Sequence, residues 1–155
     1  MLQLIFKDSA AVFSLLGILF AFGATVFATA KLHPYLPKDG GREFAHDGKL
    51  SAGKPRGAGI IFVLSFTLAA LLFAPLTVET FIYLVLIVIS MMTGFLDDAA
   101  KNPWGEYKKG FLDLCVAVMV AVTFLKYNSN TIQIALLRTE IEIPTVIFAI
   151  LVVIL

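Results

Sequence analysis

The sequence predicts an all-α membrane protein, a polytopic bundle of about five transmembrane helices with a short β-hairpin outside the membrane. Of the 155 residues, 59% are hydrophobic and only 15% are charged, whereas soluble domains are closer to about one quarter charged. The apolar residues are also gathered into long uncharged runs instead of being dispersed along the chain. Runs of this kind suit helices that cross a bilayer, which need roughly 20 apolar residues.

The five predicted helices follow the five apolar runs and form one transmembrane domain. We expect them at about residues 9–30, 57–77, 79–97, 110–127 and 143–155, with the last helix truncated. A secretory signal peptide would account for the first run only. Because the last run is too short to cross a hydrocarbon core of about 30 Å, we expect the chain to be the N-terminal part of a longer protein.

The basic residues predict how the helices are oriented. Nine of the twelve Lys and Arg residues lie in two loops, residues 31–56 and 98–109. Loops on the cytoplasmic side carry an excess of these residues, so we expect both loops in the cytoplasm and the N-terminus outside. The net charge of +1 gives no indication of nucleic acid binding, and a single cysteine excludes an internal disulfide.

The second outer connection, at about residues 128–143, has the pattern of a short hairpin. Apolar and polar residues alternate at residues 132–134 and again at residues 140–143. Such alternation is typical of half-buried strands. We therefore expect two short paired strands before the fifth helix.

Asp97 and Asp98 are the main candidates for chemistry, because they lie together at the cytoplasmic end of the third predicted helix. Carboxylates at membrane depth are costly, and the negative end of the helix dipole makes the pair more unfavourable. A divalent cation, a lysine or both must therefore compensate them, and Mg²⁺ is typically held by one or two carboxylates together with phosphates. The alternative is that both are solvated interfacial residues and that Asp97 pairs with Lys101.

Basic residues on the same side are candidates for binding phosphates. Lys54 and Arg56 lie among glycines just before the second helix, whose unpaired N–H groups favour anions. Lys101 and Lys108 follow the acidic pair. All four could instead anchor the loops against anionic lipid head groups, and Trp104 fits an interfacial aromatic belt.

These motifs resemble those of the polyprenyl-phosphate N-acetylhexosamine-1-phosphate transferase family. The resemblance includes the glycine-rich basic loop and residues 94–101, which read Gly-Phe-Leu-Asp-Asp-Ala-Ala-Lys. It extends over the motifs in residues 31–109 and over the order of the helices, the outside N-terminus and the hairpin before the fifth helix. The family's later motifs, including its main magnesium-binding aspartate, would lie beyond Leu155, so we expect this chain to be inactive by itself.

The resemblance implies transfer of phospho-N-acetylmuramoyl-pentapeptide from its UDP carrier to undecaprenyl phosphate in the bacterial cytoplasmic membrane. UMP would be released, and the product would be the first lipid intermediate of peptidoglycan. The resemblance assigns Asp97 and Asp98 to catalysis, with Mg²⁺ as the cofactor and Asp98 as one of its ligands. It also allows a homodimer. The residues assigned to substrate binding are Lys54, Arg56, Lys101 and Lys108.

Other functions stay open at this stage. The loop reads Gly-Lys-Pro-Arg-Gly-Ala-Gly at residues 53–59, where the family commonly has Gly-Thr-Pro-Thr-Met-Gly-Gly. The Pro-Arg-Gly portion also resembles the transferases that carry N-acetylglucosamine 1-phosphate to polyprenyl phosphate. Outside this family, the chain could be half of a transporter or a non-catalytic membrane scaffold, although transporters place their ion sites nearer the bilayer midplane.

Overall fold

A computed structural model describes residues 10–40, 52–100, 102, 104–129, 131–134 and 139–154. Over these residues the chain forms five α-helices, one 3-10 turn and two short strands. The elements in order are α1 (Ala10–Leu32), the 3-10 turn (His33–Tyr35), α2 (Gly59–Phe73), α3 (Val78–Ala99), α4 (Glu106–Tyr127), β1 (Thr131–Ile134), β2 (Thr139–Glu142) and α5 (Thr145–Ile154).

Three of the described helices are long and apolar enough to cross a membrane: α1 together with its 3-10 turn, α3 and α4. The shorter helices α2 and α5 are also apolar. Large hydrophobic side chains are exposed along these helices, for example Phe22 and Phe62, and few side chains are buried. Surface of this kind is compatible with lipid and not with water, so the prediction of an all-α multi-pass membrane protein is confirmed.

The ends of α2 and α4 differ from the sequence prediction for local reasons. Helix α2 begins at Gly59 and not at residue 57, because Gly57 has a φ of +68° that is incompatible with a right-handed helix. It ends at Phe73, because Ala74 adopts an extended conformation, as residues before proline usually do. Helix α4 begins at Glu106 and not near residue 110, because a polar first turn precedes its apolar part.

Strands β1 and β2 form the predicted hairpin. They pair antiparallel, with Thr131 opposite Glu142 and Ile134 opposite Thr139. Residues 135–138, which connect them, lie outside the described residues. The alternating pattern therefore identified both strands.

The described residues divide into two compact units. The first comprises Met1–Leu76 and Ile87–Trp104, and the second comprises Thr77–Leu86 and Gly105–Leu155. In the second unit α4 packs against α5, and the rings of Phe124 and Phe148 have centroids 5.7 Å apart. The Asn128 side chain, just after α4, donates a hydrogen bond to Glu79 at the start of α3.

In the first unit α1 packs against α2, and Gly17 of α1 lies at this contact. The buried residues of α2 are Ile61, Ser65 and Ala69, whose spacing of four places them on one side of the helix. A Cβ atom built on Gly17 of α1 would lie 3.0 Å from the Cβ atom of Phe73. Gly17 therefore allows the two helices to approach closely, as small residues do in membrane bundles.

Valine at Gly17 should destabilise the packing of α1 on α2 by about 1–3 kcal/mol, the usual cost of inserting atoms into a packed contact. Gly23 of the same helix is the matched control, because a Cβ atom there has no neighbour within 4 Å. Thermal unfolding of the detergent-solubilised protein would measure both variants. A lowered midpoint for Gly17→Val and not for Gly23→Val is the expected result, and equal midpoints would contradict it.

Candidate active site

The candidate site lies in the first unit and begins with a backbone contact that we name the loop clamp, formed by residues 37–39 and 53–56. The Asp39 N–H donates to the Lys54 carbonyl (2.8 Å), and the Gly53 N–H donates to the Asp39 carbonyl (2.8 Å). The Arg56 N–H donates to the Pro37 carbonyl (2.7 Å). These bonds hold the segment that precedes α2 against the segment that follows α1.

Gly57 connects the loop clamp to the start of α2 and touches the last part of α3. A Cβ atom built on Gly57 would lie 2.9 Å from Cδ2 of Phe95 and 3.8 Å from Cβ of Asp98. Its φ of +68° lies in the left-handed region, which residues with side chains adopt at a cost. Glycine at this position therefore allows the chain before α2 to reach the end of α3.

Arg56 and Asp98 form an ion pair across this contact. Nη2 of Arg56 lies 2.9 Å from Oδ1 of Asp98, and the two side chains are 35% and 31% exposed. Asp98 lies in the last turn of α3, which holds no basic residue of its own. The positive partner that this helix end requires is therefore supplied from 42 residues earlier in the chain.

Asp97 has a different partner from its neighbour. The backbone N–H of Trp104 donates a hydrogen bond of 2.7 Å to Oδ1 of Asp97. At the same helix end the Ala100 N–H donates to the Asp97 carbonyl (3.2 Å). Among the contacts described, the Arg56 guanidinium donates to Asp98 and the Trp104 N–H donates to Asp97, so the two adjacent carboxylates have different donors.

Both carboxylates line an open cleft of about 410 Å³ within the first unit. Apart from them the cleft is lined largely by apolar atoms of α2 and α3. The lining residues include Ile60, Val63, Ser90, Gly94 and Phe95. Such a cleft fits a molecule with a charged head and an apolar remainder.

The structure brings some of the predicted site residues together. Asp97 and Asp98 line one cleft, Arg56 forms an ion pair with Asp98, and Lys54 lies exposed in the loop clamp. Lys108 lies in the second unit, in the exposed first turn of α4, and Lys101 lies outside the described residues. The roles assigned to these six residues stay predictions.

The fit to Mg²⁺ depends on the two carboxylates. Adjacent aspartates are suitable donors for Mg²⁺ when phosphate oxygens complete the coordination. Over the described part of the chain, no cluster of three or more His, Cys, Asp or Glu side chains could hold a metal ion. Among the described residues, Asp97 and Asp98 would therefore supply only two of the ligands of such an ion, and Arg56 provides part of the positive charge next to Asp98.

Sequence reasoning missed three contributors to this site: the backbone of Trp104, the ring of Phe95 and the conformation of Gly57. A backbone donor leaves no signature in residue identity, so the sequence indicates only an interfacial aromatic role for Trp104. The close approach of Gly57 to Phe95 is indicated only weakly in the sequence, by the several glycines directly before α2.

Comparison with known proteins gives two curated relatives, both named phospho-N-acetylmuramoyl-pentapeptide-transferase. They come from two strains of Treponema pallidum, and each is 44% identical to this chain over 108 residues. The match covers 68% of this chain and 28% of each relative, so the chain spans less than a third of their length. No family model matches the chain, and no solved structure matches it significantly.

Proposed function

This chain is a homologue of the bacterial phospho-N-acetylmuramoyl-pentapeptide-transferases, and from that premise we propose that it carries part of the active site of such an enzyme. The substrates are UDP-N-acetylmuramoyl-pentapeptide and undecaprenyl phosphate. The observation that carries the proposal is a cleft with a largely apolar lining that includes Asp97 and Asp98, together with the ion pair between Asp98 and Arg56. A lipid phosphate has the matching chemistry, with a charged head and an apolar chain.

In the proposed reaction, an oxygen of the lipid phosphate forms a bond to the sugar-side phosphorus of the UDP substrate. The bond between that phosphorus and the bridging oxygen breaks, and UMP leaves with the bridging oxygen. The product is a lipid-linked diphosphoryl sugar. Transfer between phosphates depends on positioning and on charge stabilisation more than on covalent chemistry of the protein.

Each residue has a defined task in this reaction. Asp97 accepts the remaining proton of the lipid phosphate, and Asp98 lies next to it with its charge balanced by Arg56. Lys54 binds diphosphate oxygens, and the substrate-binding roles that the resemblance gives Lys101 and Lys108 stay predictions. When Mg²⁺ is bound at the carboxylates, it neutralises negative charge on the diphosphate.

The same proposal includes the orientation of the chain. Both basic loops face the cytoplasm, where the water-soluble nucleotide is available, and the N-terminus lies outside. The support is the excess of Lys and Arg in these loops. A transporter is disfavoured by the position of the acidic pair, which lies in the last turn of α3 and not at its middle.

The test is to assay the complete protein that carries this sequence, purified in detergent, with undecaprenyl phosphate. With UDP-N-acetylmuramoyl-pentapeptide we expect UMP release and a lipid-linked product. With UDP-N-acetylglucosamine we expect a rate at least about a hundredfold lower, because a site that binds a substrate's polar groups rejects an analogue that lacks them. The reverse preference would assign the chain to N-acetylglucosamine-1-phosphate transfer. No product with either nucleotide would contradict the proposal.

A further inference from the structure

Arg56 is constrained on both sides along the chain. Its own backbone N–H donates to the Pro37 carbonyl in the loop clamp, and the next residue, Gly57, packs against the ring of Phe95. Phe95 lies three residues before Asp98 in α3, on the same side of the helix. The backbone that carries the guanidinium is therefore fixed against the helix that carries the carboxylate.

We propose that Arg56 is a positioning residue, which orients the Asp98 carboxylate and does not bind the substrate. The inference rests on the proposed function and changes the role that the sequence suggested for Arg56. The ion pair satisfies a carboxylate that the α3 dipole would otherwise disfavour. Moving Arg56 to a phosphate would leave Asp98 without this partner.

The two carboxylates also need separate partners for a geometric reason. Adjacent like charges repel each other, so two unrestrained aspartates would turn away from a common target. Arg56 fixes Asp98, and the Trp104 N–H fixes Asp97. With both carboxylates fixed, the pair presents one arrangement to the incoming phosphate, which is the preorganisation that charge stabilisation requires.

The first experiment compares Arg56→Gln with the wild type in the complete protein. Removing a partner that orients a reactive group typically costs roughly 10–100-fold in activity, so kcat should fall by that factor. KM and the dissociation constant of UDP-N-acetylmuramoyl-pentapeptide should change by less than about twofold, because only the reaction step loses an interaction. Arg56→Lys should recover part of kcat, since it keeps the charge but not the planar fork.

Lys38→Gln is the matched control. It removes a cation from an exposed side chain of the same loop clamp, where the chain contact is made by backbone, and it should leave kcat unchanged. An increase in the dissociation constant of the UDP substrate in Arg56→Gln, with kcat unchanged, would overturn the proposal in favour of substrate binding. Wild-type values of both kcat and the dissociation constant in Arg56→Gln would also overturn the proposal.

A second experiment tests the pairing without any assay of turnover. The free energy of unfolding is measured for three variants, Arg56→Gln, Asp98→Asn and the double variant, which with the wild type form a double-mutant cycle. Because the two residues are in direct contact, we expect their losses of stability to be non-additive. Additive losses would overturn the proposal whatever the activity. A different result is a non-additive cycle together with a wild-type protein that makes no product. It would contradict the proposed function but leave the orientation of Asp98 by Arg56 in place.

Discussion

Asparagine in place of Asp97 should lower the rate of UMP release by about 10²–10⁴-fold, the usual contribution of a positioned proton acceptor. Asparagine in place of Asp98 should lower it by about 10²–10³-fold, because stabilising charge is lost next to the reacting phosphates. Neither change should unfold the protein. Asparagine keeps an oxygen that can accept from the Trp104 N–H at position 97 or from the Arg56 guanidinium at position 98.

Rates of UMP release from the purified complete protein, at saturating concentrations of both substrates, would measure this effect. Glu106→Gln is a suitable control, since it also removes one exposed carboxylate near a helix end but lies outside the cleft. Membrane insertion should be the same for all three variants. The unfolding midpoint should match that of the wild type for Asp97→Asn and Glu106→Gln and be somewhat lower for Asp98→Asn, which loses the charge pair with Arg56. Rates within twofold of wild type for both aspartate variants would refute an enzyme site here and support a scaffold.

Alanine at Gly57 should separate the loop clamp from α3 and so reduce both stability and activity. The added methyl group would lie 2.9 Å from the Phe95 ring, and the φ of +68° is itself unfavourable for alanine. The conformation costs about 1–2 kcal/mol, and the overlap adds about 1–3 kcal/mol. Because the Arg56–Asp98 pair lies directly beside this contact, we expect kcat to fall at least tenfold, in line with the roughly 10–100-fold cost of losing an orienting partner.

Gly53→Ala separates the two contributions. Gly53 also has a positive φ, of +82°, but a Cβ atom there has no neighbour within 4 Å. Gly53→Ala should therefore lose only the stability that the left-handed conformation costs an alanine, about 1–2 kcal/mol, and should retain most of its activity. In the double variant Gly57→Ala with Phe95→Ala, the overlap is relieved and part of the stability should return. Equal effects of alanine at Gly53 and Gly57 would show that the approach to Phe95 is unimportant.

The apolar runs were sufficient to predict the helices, because each run must satisfy its own backbone within the membrane. The position of Asp97 and Asp98 followed from the same reasoning, since an acidic pair after an apolar run must lie near the end of that helix. The hairpin was predictable because alternation at residues 140–143 has the period of a strand. All these features depend on residues that are close together in the sequence.

The partners of the two carboxylates could not be predicted in the same way. The pairing of Arg56 with Asp98 joins residues 42 positions apart, and it depends on the left-handed turn at Gly57 and on the backbone bonds of the loop clamp. The sequence placed Arg56 on the same side of the membrane as Asp98, and it predicted that some positive group would be required. It did not distinguish a substrate-binding arginine from one that holds a carboxylate.

The construction of the loop clamp from backbone groups has a consequence for how this segment can evolve. Its bonds involve N–H and C=O groups that nearly every residue carries, so the exposed side chain of Lys38 is not constrained by them. Gly53 and Gly57 are constrained, because their positive φ angles restrict the choice of residue. We expect related genes to diverge freely at Lys38 while keeping both glycines, so that overall similarity in this segment would understate its structural importance.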